Sequence, residues 1–414
     1  RLLRDEGAAA ERMATVLGSS AYAGDLLLRA PEATAMLGDD GELIPVDAAA
    51  LLQEALVTVE RQEDADEAAL AIRALRRREL LRICIADVLG RIDDDTVMSA
   101  VTELSRAAVA AALAAAHRVV QSTSGEALPM RLTIIGMGRF GGGEMGYGSD
   151  ADVVFVFEAG PSANDEAAAK AALAVANEVI ALLGRPSADP PLVVDAGLRP
   201  EGRQGPLVRS LASYRAYYER WSLVWESQAL LRATVVAGDA DLGERFLDLI
   251  DPLRYPAGGL TAEQVTEIRR LKARMEAERL PRGADPRTHL KLGPGGLSDV
   301  EWVVQLLQLQ HAHEVPALRT QGTLTALQAA VDANLVSSAD ARALADSWRA
   351  ATEIRHAVVM ARGVPADAIP VQPADRARVA HLLGYGASGS EQMVEDYLRK
   401  SRRARAVVER LFYG

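Results

Sequence analysis

The chain is 414 residues long, 49% hydrophobic and 25% charged, which is more than one typical core and predicts two or three globular domains of ordinary soluble composition. A formal net charge of −11 argues against nucleic acid as the main partner, because gripping a phosphate backbone needs clustered positive charge. The single cysteine, Cys84, excludes an internal disulfide and suits a reducing cytoplasm, and no uncharged apolar run of about 18 residues predicts a membrane span. The first residue is Arg1 with no signal-peptide pattern behind it, so the chain reads as a piece of something longer.

Abundant alanine and only 4% aromatic residues favour helices over a large sheet. Residues 1–122 read as helical. The stretch 64–89 carries Leu70, Leu75, Leu81, Ile85 and Leu89, interrupted by Arg76, Arg77 and Arg78, a basic run that reads as a solvated face. The alanine-dense run 99–121 is a second helix. A polar hinge over 122–126 ends this region and the period changes: 131–135 and 152–157 are short β-branched strands, 163–183 a helix, and 191–195 a third strand. From residue 211 the chain returns to helix, over 213–237, 261–280, 297–312, 324–331, 339–360 and 390–412, punctuated by Pro252, Pro256, Pro281, Pro294 and Pro316.

The run 136–157 is the most informative segment. A glycine-dense loop leads into Asp150 and Asp152, whose i, i+2 spacing at the start of a strand points both carboxylates to one face. Like charges side by side repel and add nothing to packing, whereas a divalent cation bridging them to a polyphosphate relieves the repulsion. The pattern Gly136-x-Gly138-x-x-Gly141 also meets the dinucleotide fingerprint, with Glu158 where the ribose acid would stand. That reading fails on length, since a parallel crossover needs roughly 10–12 residues, and Asp150 follows Gly143 too soon. No Gly-Lys-Ser/Thr occurs, which removes the P-loop. A third carboxylate is needed to hold a hard cation well, and Asp195, ending the apolar Leu192, Val193 and Val194, is the candidate.

The remaining motifs read more plainly. Tyr217, Trp221 and Trp225 recur every four residues as one helical stripe, read as core packing rather than an adenine platform. Ser298 with Glu301 fits a capping box, and Asp299 in the same first turn suits the helix dipole. His311 and His313 are two apart, which on a helix points them in different directions and excludes a metal pair.

Asp-x-Asp after a double glycine, followed by a strand aspartate, resembles the nucleotidyltransferase superfamily that includes polymerase β. The segments Gly141, Gly142, Gly143, Glu144, Met145 with Ser149 to Asp152, Asp195 with Leu198, Arg199, Pro200, Glu201, Gly202, Gly205, Pro206 and Leu207, then 225–233 and 291–302, look like the glutamine synthetase adenylyltransferase family, as do 19–22 and 29–32 in the helical lead-in. The resemblance covers nearly the whole chain. It implies an α+β, mostly helical fold: a polymerase β-like nucleotidyltransferase core with a small mixed sheet over 126–245, an N-terminal helical segment over 1–125, and a C-terminal helical bundle over 246–414. It also implies transfer of AMP from ATP to a tyrosine of glutamine synthetase, releasing pyrophosphate, to regulate nitrogen assimilation in the cytoplasm, with a PII-type nitrogen-signalling protein as a second partner.

That family is built of two similar halves, one attaching AMP and one removing it; residues 146–149 and the ending after the last helix resemble the carboxy-terminal, adenylylating half. In this reading Asp150, Asp152 and Asp195 hold two magnesium ions. The amides of Gly141, Gly142 and Gly143 cradle the triphosphate, and Ser149, Arg199 and Lys291, one of only four lysines, add contacts. Two departures stand out: Gly197 occupies a position where arginine is common, and Ala151 replaces a larger apolar residue. The rival readings are phosphorolytic removal of AMP, a non-catalytic nucleotide-binding module, and a small-molecule nucleotidyltransferase, against which the long helical arms argue.

Overall fold

The computed structural model describes residues 7–161, 163–386 and 388–414, and 66% of the described residues are helical. Helices α1 (Gly7–Ser19) and α2 (Ala21–Arg29) open it, the second started by Ser20, whose hydroxyl accepts the Ala23 amide. Two 3-10 turns, Pro31–Gly38 and Gly41–Leu43, lead to α3 (Ala48–Glu60), α4 (Ala65–Val88) and α5 (Asp94–Ser124). Asp47 caps α3 by accepting the Ala49 and Ala50 amides. The αβ region follows as β1 (Met130–Gly136), a single turn α6 (Gly138–Gly141), β2 (Ala151–Ala159), α7 (Asp165–Gly184), β3 (Val194–Asp195), β4 (Val208–Ser210), α8 (Leu211–Trp221), α9 (Val224–Leu230), β5 (Thr234–Gly238) and α10 (Ala240–Arg254). The rest is α11 (Ala262–Arg279), α12 (Leu297–His311), α13 (Thr323–Asp332), α14 (Ser338–Arg362), α15 (Pro373–Leu382) and α16 (Ser390–Val408), ending in a π-type turn, Glu409–Tyr413.

The chain packs as two compact units, one of residues 44–83 and 95–252 and the other of residues 7–43, 84–94 and 253–414. In the first, the sheet runs β3-β2-β1-β5, with β4 also paired to β2. β1 is antiparallel to β2 and β5, while β3 and β4 are parallel to β2, so the sheet is mixed. The residues Val153, Val154, Phe155, Val156 and Phe157 of β2 are all buried, as an unbroken apolar run at the centre of a covered sheet requires. Helix α7, started by Asn164, lies against β1, β2, β3 and β4 and buries Val175, Val179, Leu182 and Leu183. Each such side chain contributes about 1.5–3 kcal/mol. On α8, Tyr214 meets the edge of Phe246 at 5.0 Å and donates its hydroxyl to the Phe155 carbonyl at 3.4 Å.

Three expectations change here. The single helix expected over 213–237 is α8, α9 and then a strand. Thr234, Val235 and Val236 form a β-branched run that completes the edge of β1, and the run ends where a Cβ on Gly238 would stand 2.3 Å from the Leu132 carbonyl. The third strand shrinks from 191–195 to Val194–Asp195, since Pro190 and Pro191 have no N–H to pair. The arginines of α4 are not a solvated face. Arg76 is buried and donates to the Pro190 carbonyl at 2.8 Å, Arg77 bonds Asp189 at 2.9 Å, and Arg78 sits between Glu54 and Glu79. Arg76 and Arg77 together brace the segment that enters β3.

The second unit is a helical bundle centred on α14, which packs against α2, α12, α13, α15 and α16 and buries Trp348. Ser20 donates to the Met360 carbonyl at 3.1 Å and lies 3.6 Å from the Cys84 sulfur. Burial pushes the Cys84 thiol up to about 12, so it behaves as a packed apolar group rather than a nucleophile. Helices α5 and α7 are long and apolar enough to cross a membrane by length and hydropathy alone; their most apolar windows are 67% and 39% buried inside the fold.

Candidate active site

The site is built where β2 begins. The Met137 amide donates to the Asp152 carbonyl and the Ala151 amide to the Val193 carbonyl, both at 2.8 Å, which clamps the start of β2 between β1 and β3. Parallel pairing then sets Ala151 opposite Val194 and Asp152 opposite Asp195. Adjacent strands lie about 4.8 Å apart and directly opposed residues share a face, so these two carboxylates leave the sheet side by side. Asp150 comes two residues earlier, just outside β2, and is exposed. Ala151 between them is fully buried, which accounts for a small residue there.

Room for Asp152 comes from Gly138, whose φ is +53° and where a Cβ would fall 2.2 Å from the Asp152 Oδ2. Asp195 is oriented by its own turn: its Oδ1 accepts the Gly197 amide at 2.7 Å, and its Oδ2 faces Arg203 Nη2 at 3.6 Å. The residue at 197 is thus tied to Asp195, and a Cβ there would approach Oδ1 to 2.9 Å. Carboxylate oxygens are the donors that hard divalent cations take, and two of the three expected ones are cross-strand neighbours. As the side chains stand, no three His, Cys, Asp or Glu residues among those described are grouped closely enough to hold a metal ion.

The glycine loop differs from the expected phosphate cradle. The amides of Gly141, Gly142 and Gly143 donate to the carbonyls of Met137, Gly138 and Phe140 at 2.7, 3.1 and 3.3 Å, so they close the turn instead of facing outward. Gly141 is glycine for a packing reason: a Cβ would lie 2.0 Å from the Arg232 carbonyl and 2.4 Å from that of Gly136. The loop is anchored by a buried ion pair, Glu144 with Arg232 at 2.6 Å, and by the Met145 amide donating to Thr102 Oγ1 at 3.2 Å. Gly141→Ala should therefore destabilise the protein by about 3 kcal/mol, because backbone oxygens cannot yield as a flexible side chain would. Gly143→Ala meets open space and should cost only about 1–2 kcal/mol, for its positive φ. Thermal melts of the two variants check the difference.

Two of the other expected contacts, Ser149 and Arg199, are spent locally. Ser149 Oγ accepts the Gly146 amide at 3.0 Å and closes a tight turn. Arg199 wraps the loop after Asp195, donating to the carbonyls of Ala196, Arg203 and Gly205 at 2.7–3.2 Å, which uses all but one of its N–H groups. Lys291 lies in the bundle unit, exposed, in the turn before α12. That helix starts at Gly296 with no side-chain cap, so Ser298 and Glu301 are not the capping box their spacing suggested.

The aromatic stripe is not core either. Helix α8 stops at Trp221, which is 68% exposed, and Trp225 belongs to α9. Tyr217 donates its hydroxyl to Glu226 at 3.0 Å, and Glu226 also takes the Leu223 amide at 2.8 Å, fixing the turn between the helices. Burial pushes the Glu226 carboxyl up. Burial and this hydrogen bond raise the Tyr217 phenol to about 12.

Sequence reasoning missed the Glu144–Arg232 pair and Arg203. The signal for the first was a lone acid in the glycine loop and a lone base in the 225–233 motif. Arg203 gave no signal until Asp195 had a position.

Comparison with known proteins is consistent along the whole chain. A family model described as glutamate–ammonia ligase adenylyltransferase matches residues 10–249, and one described as GlnD PII-uridylyltransferase matches residues 267–413. The chain is 55% identical over 429 residues to the bifunctional glutamine synthetase adenylyltransferase/adenylyl-removing enzyme of Streptomyces coelicolor, covering 100% of this chain and 43% of that protein. It is 51% identical over 415 residues to the protein of the same name from Mycolicibacterium smegmatis, and 49% identical over 414 residues to that of Cutibacterium acnes, covering 100% of this chain and 41% of the relative in each case. The chain thus spans less than half the length of these relatives.

Proposed function

The chain belongs to the glutamate–ammonia ligase adenylyltransferase family, and from that premise we propose that it transfers AMP from ATP to a tyrosine hydroxyl of glutamine synthetase, releasing pyrophosphate. The observation that carries this reading is the register of two short parallel strands, which sets Asp152 beside Asp195 with Asp150 at the mouth of the same strand. In the transfer the tyrosyl oxygen forms a bond to the α-phosphorus, the bond from that phosphorus to the oxygen leading to the β-phosphate breaks, and the phenolic proton passes to a base, for which Asp195 is the candidate. Asp150, Asp152 and Asp195 would hold two magnesium ions, which when bound offset phosphate charge and lower the phenol's ordinary pKa of about 10. The chain's own part is to fix these carboxylates. Gly138 leaves space for Asp152, Gly197 orients Asp195, and the Glu144–Arg232 pair holds the loop between β1 and β2.

The relatives are named for two opposed activities, and residues 146–149 support the adenylylating one for this chain. The match of residues 267–413 to a PII-uridylyltransferase description supports regulation through a PII-type protein. One pair of incubations tests direction. With unmodified glutamine synthetase, magnesium and ATP labelled at the α-phosphate, the label should appear on glutamine synthetase. With AMP-bearing glutamine synthetase and inorganic phosphate, little ADP should form. ADP release without labelling would assign the chain to AMP removal; neither reaction, with ATP still bound, would make it a nucleotide-binding module.

A further inference from the structure

Arg203 stands out because its backbone is fixed and its side chain is not. Arg199 holds the Arg203 carbonyl at 3.2 Å and the neighbouring Ala196 and Gly205 carbonyls, while Glu201, just upstream, pairs with Arg209. The Arg203 side chain is nevertheless 82% exposed and reaches back to Asp195 Oδ2 at 3.6 Å. The other Asp195 oxygen, Oδ1, is committed to the Gly197 amide. The guanidinium therefore lies against the outward oxygen of the carboxylate that a cation would need.

An exposed ion pair of this kind is worth only about 0–1 kcal/mol, so leaving it costs little. A guanidinium held beside a divalent cation would be repelled, whereas charge-assisted hydrogen bonds from arginine to phosphate oxygens are among the stronger ones available.

We propose that Arg203 has two stations: it balances Asp195 while no cation is bound, and it grips the outer phosphates of the nucleotide once a cation takes Asp195 Oδ2. The proposal rests on the reading of Asp195 as a metal ligand, and it names a nucleotide contact that the glycine loop, with its amides turned inward, does not provide.

The test uses the chain itself with Mn2+ alone, followed by electron paramagnetic resonance, and then AMP transfer at varied ATP. Arg203→Ala should bind Mn2+ roughly two- to fivefold more tightly, since an exposed competitor has been removed. In the transfer assay it should raise KM for ATP by about tenfold or more while changing kcat far less, the pattern of a lost ground-state contact. Arg203→Lys should recover part of the affinity for ATP. A purely structural pair would leave Mn2+ binding unchanged or weaker. That outcome, or an unaltered KM, overturns the proposal. Asp195→Asn separates the two levels. If it binds Mn2+ as well as the unaltered chain does, the metal reading of Asp195 fails and Arg203 falls with it; if it loses Mn2+, only the Arg203 results decide.

Discussion

Asp152→Asn should cut AMP transfer to glutamine synthetase by about a thousandfold or more, because metal-assisted charge stabilisation supplies several kcal/mol of the barrier reduction. The substitution keeps the shape of the side chain and removes only its charge. Whatever packing Asp152 has against Gly138 survives, as does the backbone bond from the Met137 amide to the Asp152 carbonyl. The melting temperature should accordingly stay within about 4 °C of the unaltered protein. Asp150→Asn should behave alike, although Asp150 is exposed and lies outside β2. The measurement is label transfer from α-labelled ATP beside a thermal melt. Near-normal transfer by a folded Asp152→Asn protein would remove the chemistry from this strand pair altogether. A loss of transfer together with a lowered melting temperature would instead mark Asp152 as a structural residue whose charge the loop needs.

Legibility followed the range of the interactions involved. The strands at 131–135 and 152–157 announced themselves through β-branched runs, and the long helices through alanine and apolar spacing, because those signals are local. The aspartates draw notice for the same reason: an acid pair at the edge of an apolar strand conflicts with its surroundings. β5 was not, although Thr234, Val235 and Val236 carry the right residues, since a strand that follows two helices is specified by the open edge of β1. The glycine loop shows the converse error. Three successive glycines suggest a surface for phosphate, yet Gly141 is demanded by the carbonyls of Gly136 and Arg232, the latter 91 positions away in sequence. Arg199 misled in the same way, because an arginine beside a site reads as a ligand contact until its carbonyl partners are seen. Arg203 could be recognised only after the fold had returned the chain to Asp195.

Asp299→Asn should lower the free energy of unfolding by about 3–5 kcal/mol, since it leaves a buried charge without its main partner. Lys272 is 0% exposed, and its ammonium bonds both Glu276 and Asp299, with the Phe412 ring 5.9 Å away. Asp299 in turn takes the Gly295 amide at 2.6 Å and Arg405 at 3.1 Å, and the Gly295 carbonyl accepts Ser347 Oγ at 2.7 Å. One carboxylate therefore joins α11, α12 and α16 to the turn that carries Lys291. Burial is the largest single influence and would raise the Asp299 pKa, but the Lys272 charge and hydrogen bond, the Gly295 amide and the Arg405 charge together outweigh it and hold the carboxyl below its ordinary value. Burial would likewise lower Lys272, and Asp299 holds it up.

The signs then fix the pH profile. The Asp299 contribution is complete above the ordinary carboxylate range and is lost as pH falls through the depressed value. The Lys272 contribution is complete below the ordinary lysine value and is lost only as pH rises past it. Urea unfolding at neutral pH should show the full deficit for Asp299→Asn, and the difference from the unaltered chain should narrow towards low pH, where both carry an uncharged group at 299. The double substitution Lys272→Met with Asp299→Leu should cost less than Asp299→Asn alone, because it removes the buried charge along with its partner. A deficit below about 1 kcal/mol at neutral pH is the size of a surface pair, and it would mean that this cluster does not hold the bundle together.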